Sequence, residues 1–263
     1  NKKENPPKRW DKIIGAVTLL TIVIFGFIIY NDYNGSSSKT ASVNAEKNTV
    51  KQTESEKVTK AETDTKKNSN RTQVQGNPTV CIDAAHGGSS TGGASGNYTE
   101  KAITLSVALK VKEYLEESGV NVVMTRTSDK DVTNEQRVKT CNDSKASAMV
   151  SIHMNSADKT VTAKGAECWV HTKKPADSQK LAEDILKQLK SEAGFNDRGV
   201  KYGTVADNKE NCYINSHSSC ASMVLQLGFI TDSTDVKLVT DKLDTTATAI
   251  ADGIVEYLNG KAH

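Results

Sequence analysis

A chain of 263 residues with 36% hydrophobic and 25% charged side chains is long enough for one or two globular domains. Its 34 basic and 32 acidic residues leave a net charge of only +2, and the two signs alternate rather than forming blocks. That excludes a nucleic-acid partner recruited by a basic surface. In chain order, residues 13–30, IIGAVTLLTIVIFGFIIY, carry no charge and as a helix would measure roughly 27 Å, close to a hydrocarbon core. Lys2, Lys3, Lys8, Arg9 and Lys12 precede this run and no further basic residue follows until Lys39. The asymmetry predicts a cytoplasmic basic tail over 1–12, a single-pass membrane helix over 13–30 and a C-terminal part outside the cytoplasmic membrane. A cleaved signal peptide is the competing reading, but Tyr30, Asn31, Asp32 and Tyr33 do not make a small-x-small cleavage site. Residues 31–77 contain no leucine, isoleucine or aromatic after Tyr33 and are expected to form a disordered linker.

From residue 78 short apolar runs alternate with segments of helical period. Strands are predicted at 79–83, 120–126, 148–153, 165–171 and 223–229. Helices are predicted at 100–119, from the Thr133/Gln136 capping box to about 145, at 177–193, and twice between 232 and 258. This alternation predicts an α/β domain over 78–260 with an open, largely parallel sheet covered by helices on both faces. The five cysteines, Cys81, Cys141, Cys168, Cys212 and Cys220, are odd in number and include no CxxC pair. Buried thiols account for most of them, while Cys212 and Cys220 could meet if their segment folds back as a hairpin.

In sheets of this kind ligands collect beyond the C-terminal strand ends. His86 follows the first strand, His153 ends the third, and Glu100 opens the first helix, so the three can converge. Two imidazoles and a carboxylate with a fourth position open form the ligand set of a hydrolytic zinc site. The competing reading is a set of unrelated, hydrogen-bonded side chains. Gly87, Gly88, Gly92 and Gly93 lack the spacing of either phosphate-binding loop.

Seven segments then occur in order: IDAAHGG, TEKAITLSVALKVKEYL, VVMTRTSD, NEQRVKTCN, VSIHMN, RGVK and VLQLGFIT. Together they resemble the motifs of the zinc-dependent N-acetylmuramoyl-L-alanine amidases of the cell-wall hydrolase type, amidase type 3, from about residue 79 to 258. The resemblance implies a twisted sheet of about six strands and Zn2+ held by His86, Glu100 and His153. It also implies a domain facing the cell wall, with peptidoglycan cut between the lactyl group of muramic acid and the first L-alanine of the stem peptide. The family's last motif ends Glu-x-Gly-Phe, its glutamate being the general base, and here that position is Gln226. A carboxamide cannot take up a proton, so impaired turnover is expected, with Glu167 as a candidate stand-in. The alternative is a catalytically inactive, zinc-containing protein that binds peptidoglycan or regulates a partner. Ala84 and Ala85 replace the family's usual Pro-Gly before histidine. Asn155, two residues beyond His153, is a candidate substrate contact. Arg126 and Arg137 are expected in structural ion pairs, Trp169 in the core, and His171 and His217 at the surface. Whether an activating protein partner exists is left open.

Overall fold

The apolar run TVCIDA forms β1 (Thr79–Ala84), and AMVSIHMN forms β5 (Ala148–Asn155) beside it. These two strands, with β4 (Asn121–Met124), β6 (Ala166–Val170), β7 (Asp197–Tyr202) and β8 (Ala221–Phe229), build a six-stranded sheet in the order β4-β1-β5-β8-β6-β7. A two-stranded hairpin, β2 (Ala94–Ser95) and β3 (Tyr98–Thr99), stands apart from it. The computed structural model describes residues 71–158 and 162–261.

Every neighbouring pair in the large sheet is parallel except β6 with β8. The sheet is therefore mixed. β7 was not anticipated, because DRGVKY is an edge strand with a glycine inside it and no clean alternation.

α1 (Glu100–Glu117) buries Ile103, Val107, Val111 and Leu115, an i, i+4 stripe against the sheet. α2 (Asn134–Asp143) begins with the predicted capping box, in which Thr133 and Gln136 bond each other's backbone N–H reciprocally. α3 (Ala176–Gln188) runs into a π turn, Leu189–Ala193, which ends at Gly194 with φ 83°. The short α4 (Tyr213–His217), α5 (Ser233–Thr240) and α6 (Leu243–Gly260) complete the domain. Residues of α1, α3 and α6 share the larger core with one face of the sheet. Val138 and Cys141 of α2 and Ile214 of α4 cover the other face over Cys81, Met149, Trp169 and Val224. Ahead of β1, Val74 is buried and its N–H donates to Ser118 O at 2.9 Å.

No helix among the described residues is long and apolar enough to cross a membrane. The expected spanning helix over 13–30 and the basic tail over 1–12 lie outside the described residues, as does the linker up to residue 70. Among the described residues nothing bears out the expectation of a membrane-anchored, single-pass protein. That expectation rested on apolar length and flanking charge alone, and no spanning helix among the described residues supports a membrane partner or that topology.

The end of β8 is shaped by a bulge. Its register against β5 shifts between His153 and Asn155, and Gly228 takes φ 77° where a Cβ would meet the Asp235 Cβ at 2.7 Å. Asp235 is 2% exposed, and its Oδ2 accepts from the Gly165 and Phe229 N–H groups, both at 2.8 Å. Burial raises the pKa of this carboxyl, although both N–H groups pull the other way. A raised folded-state pKa means full stability below the usual carboxylate range and a loss as pH rises through the folded value. Asp235→Ala should cost about 2–4 kcal/mol in urea unfolding, because two buried donors lose their acceptor. Asp235→Asn keeps an oxygen for both donors. It should cost under ~1 kcal/mol and flatten that pH dependence.

Candidate functional site

The C-terminal ends of β1 and β5 bring the candidate ligands together. The loop after β1 turns at His86, a non-glycine residue at φ 59°, and its carbonyl accepts from Arg137 Nη2 at 2.7 Å. A left-handed backbone at a non-glycine residue persists only where its surroundings impose it. Here Arg137 supplies the restraint, and Gly87 and Ser90 close the turn behind it. Glu100 is the first residue of α1, and His153 lies near the end of β5.

His86 Nε2 is 3.2 Å from Glu100 Oε2, and His153 Nδ1 is 3.0 Å from Glu100 Oε1. All three ligand atoms lie within 4.8 Å of one another. Glu100 is nearly buried, and each oxygen also accepts a backbone N–H: Met154 on Oε1 at 2.9 Å and Gly93 on Oε2 at 2.8 Å. Burial by itself would raise the Glu100 pKa. The hydrogen bonds of His153 and His86, the charge of His153 and the Gly93 N–H outweigh it and hold the carboxyl well below the usual carboxylate range.

Ser90 Oγ sits 2.9 Å from His86 Nδ1, which orients the ring with Nε2 towards Glu100. Gly92 lines the cluster so closely that a Cβ would come within 2.5 Å of Glu100 Oε2 and 2.6 Å of His86 Cδ2. Two imidazoles and one ionised carboxylate around a kept-open space fit a single metal ion. Among the described residues this is the one such group of three.

Beneath His86 runs a buried ionic network. Arg137 Nη1 donates to Asp83 Oδ1 at 2.6 Å and to Ala84 O at 2.7 Å, while Ser151 Oγ donates to Asp83 Oδ2 at 2.6 Å. Arg126, 1% exposed, donates to Ala84 O, Ala85 O and Lys101 O, each at 2.8 Å. Burial and the nearby Arg137 lower its pKa, and Asp83 and Asp129 oppose them. Both arginines thus hold the backbone of the ligand loop, a role that ion-pair reasoning from sequence captured only in part. A groove of about 350 Å³ opens beside the cluster, lined among others by His86, His153, Asp131, Thr133, Asn134 and Ile214. Sequence reasoning missed Asp131 and Asn134, whose only signal was their place just before and inside the capping box.

The remaining candidates fall along a row across three strands. In register, His153 of β5 faces Gln226 of β8, and Gln226 faces Glu167 of β6. Glu167 is 2% exposed; Oε1 accepts from Asn155 Nδ2 at 2.9 Å and Trp169 Nε1 at 3.0 Å, and Oε2 pairs with Arg198 at 2.7 Å and Lys201 at 3.0 Å. Burial raises its pKa, but Arg198, Lys201 and Trp169 outweigh that and keep it low. Trp169 is buried, His171 is half-buried, and His217 is stacked on Tyr213 with ring centroids 3.9 Å apart.

The expectation that Gln226, at the family's general-base position, impairs turnover is overturned. The carboxylate of the metal cluster is Glu100, which is intact and touches both imidazoles. Gln226 is buried one strand away and is not a member of that cluster. The convergence of β1, β5 and α1 sets Glu100 between the histidines, as their places at strand ends and a helix start predict. The inactive, binding-only alternative falls with that expectation.

Comparison with known proteins agrees with this geometry. Residues 80–256 match the N-acetylmuramoyl-L-alanine amidase family. The chain is 37% identical over 182 residues to the uncharacterized protein YqiI of Bacillus subtilis (strain 168), covering 68% of this chain and 84% of YqiI. It is 31% identical over 182 residues to N-acetylmuramoyl-L-alanine amidase LytC of the same organism, covering 68% of this chain but only 35% of LytC. The crystal structure of N-acetylmuramoyl-L-alanine amidase from Clostridium difficile 630 superposes with a TM-score of 0.65 at 30% identity, covering 70% of this chain and 98% of that one. With the matched segment spanning the sheet, its helices and the whole His86, Glu100 and His153 cluster, the chain belongs to the N-acetylmuramoyl-L-alanine amidase family of enzymes.

Proposed function

We propose that this domain is a zinc-dependent peptidoglycan amidase that hydrolyses the amide between the lactyl group of N-acetylmuramic acid and the L-alanine of the stem peptide. The observation that carries this is the gathering of His86, Glu100 and His153 within 4.8 Å at the rim of the sheet. When bound, Zn2+ supplies Lewis-acid polarisation of a carbonyl and activation of water.

The chain's own residues do the rest. Glu100 stays ionised and offsets metal charge, and its two backbone donors stop it from rotating away. Ser90 orients His86, and the Arg137 bond to the His86 carbonyl fixes the loop that carries it. The groove beside the cluster is of a size that takes part of a ligand, and Asp131 and Asn134 in its lining offer polar contacts for the substrate flanking the scissile amide. Glu167 acts as the buried counter-ion that sets Arg198 and Lys201 at the rim, rather than as a proton acceptor, because cations occupy its outward oxygen. Asn155 ties Glu167 to the strand bearing His153.

The test is metal analysis with turnover. The purified chain should carry about one zinc, and peptidoglycan digestion should release new L-alanine amino termini. Chelation should stop the release and added zinc restore it. Unchanged release in a protein shown to be metal-free would exclude this mechanism.

A further inference from the structure

Two thiols that lie 79 residues apart in sequence meet on the face of the sheet covered by α2 and α4. Cys141, in the last turn of α2, and Cys220, the residue before β8, bring their Sγ atoms to 3.7 Å. The approach is held by the neighbour of one cysteine gripping the neighbours of the other. Asn142 Nδ2 donates to His217 O at 3.0 Å, and Asn142 Oδ1 accepts from Ser219 N at 2.9 Å and Ser219 Oγ at 3.0 Å. The side chain of Asn142 thus fastens the segment leading into β8 onto the end of α2. The expected meeting of Cys212 with Cys220 is not what the fold provides, since Cys212 Sγ points to Gly203 O at 3.6 Å.

Cys141 is buried, whereas Cys220 is half-buried and can be reached by a small reagent. Cys81 also touches Cys141, but from within the sheet and with no exposure of its own. We propose that Cys141 and Cys220 are a disulfide-forming pair, a modification site that closes α2 onto the start of the last strand. The sulfurs need to approach by roughly 1.6 Å to reach the ~2.05 Å bond, which side-chain rotation can supply from contact distance.

The oxidant is a low-molecular-weight disulfide. The Cys220 thiolate attacks one of its sulfurs, forming a mixed disulfide and releasing one thiolate. The Cys141 thiolate then attacks the Cys220 sulfur and displaces the second. Two protein thiols and one reagent disulfide become one protein disulfide and two reagent thiols, so the protein gives up two electrons and two protons to the reagent. The bond would close a long loop and restrict the unfolded chain. It would also fix the helix that carries Arg137, one turn before Cys141, against the strand end.

The experiment is prolonged incubation of the full chain with oxidised glutathione, followed by alkylation, proteolysis and mass spectrometry under non-reducing conditions. The expected result is a linked Cys141–Cys220 peptide and loss of two of the five alkylatable thiols. A Tm rise of roughly 5–15 °C should accompany it, reversed by reductant and absent in both Cys220→Ser and Cys141→Ala. Five thiols still alkylated, a Cys81–Cys141 or Cys212–Cys220 link, or glutathione left unresolved on Cys220 would each overturn the proposal.

Discussion

Glu100→Gln is expected to abolish hydrolysis while leaving the domain folded. The carboxylate is the one anionic donor between His86 and His153, so its loss removes both charge compensation and one of three ligands. The fall in zinc affinity should exceed the roughly 10–100-fold typical of groups that only touch a ligand, and turnover should drop by more than ~10³-fold. The fold should survive at a cost of about 1–3 kcal/mol. A carboxamide has one acceptor oxygen, so either the Met154 or the Gly93 N–H loses its partner. The pH dependence gives a second reading of the same substitution in metal-free protein. Glu100 is held well below the usual carboxylate range, so its contribution to stability is present above that range and is lost as pH falls through the depressed value. The Gln variant should lack that acid-side loss. A variant with full zinc content and unreduced turnover would show that Glu100 is not the carboxylate of the site.

Arg137→Ala should have the largest effect on stability, about 3–5 kcal/mol by urea unfolding. Its guanidinium is nearly enclosed, pairs with an Asp83 carboxylate that is 1% exposed, and reaches both the Ala84 and His86 carbonyls. Removing it leaves a buried charge with only Thr125 and Ser151 hydroxyls as partners. It also releases the left-handed turn at His86, so zinc affinity should fall together with stability. Combining Asp83→Asn with Arg137→Met removes both charges and should recover part of the stability, because no uncompensated ion remains. Zinc affinity should not recover with it, since methionine offers the His86 carbonyl no donor. If zinc binding returned with stability, the clamp on His86 would be irrelevant to the metal site.

The strong local signals in the sequence held. The stripe in α1, the capping box of α2 and the apolar runs of β1, β5 and β8 name their elements, because each depends on residues a few positions apart. The histidines at strand ends and the glutamate at a helix start were legible for the same reason. What failed were readings whose answer lies in another part of the chain. β7 is held by pairing with β6 more than by its own composition, and β6 runs antiparallel to β8 although the strand and helix alternation suggested parallel neighbours. The weight placed on Gln226 came from one motif position, whereas the intact carboxylate between the two imidazoles is Glu100.

By itself, then, the sequence determined an α/β domain, the order of its main elements, and three residues able to hold a metal. Periodicity, capping and strand-end position are local properties that need no partner to be read. Only the tertiary structure decided which cations close over Glu167, and that Cys220 meets Cys141 rather than Cys212. Those outcomes depend on strand order, on the bulge at Gly228 and on hydrogen bonds such as that from Arg137 to the His86 carbonyl. Each joins residues tens of positions apart, where no sequence spacing carries the information.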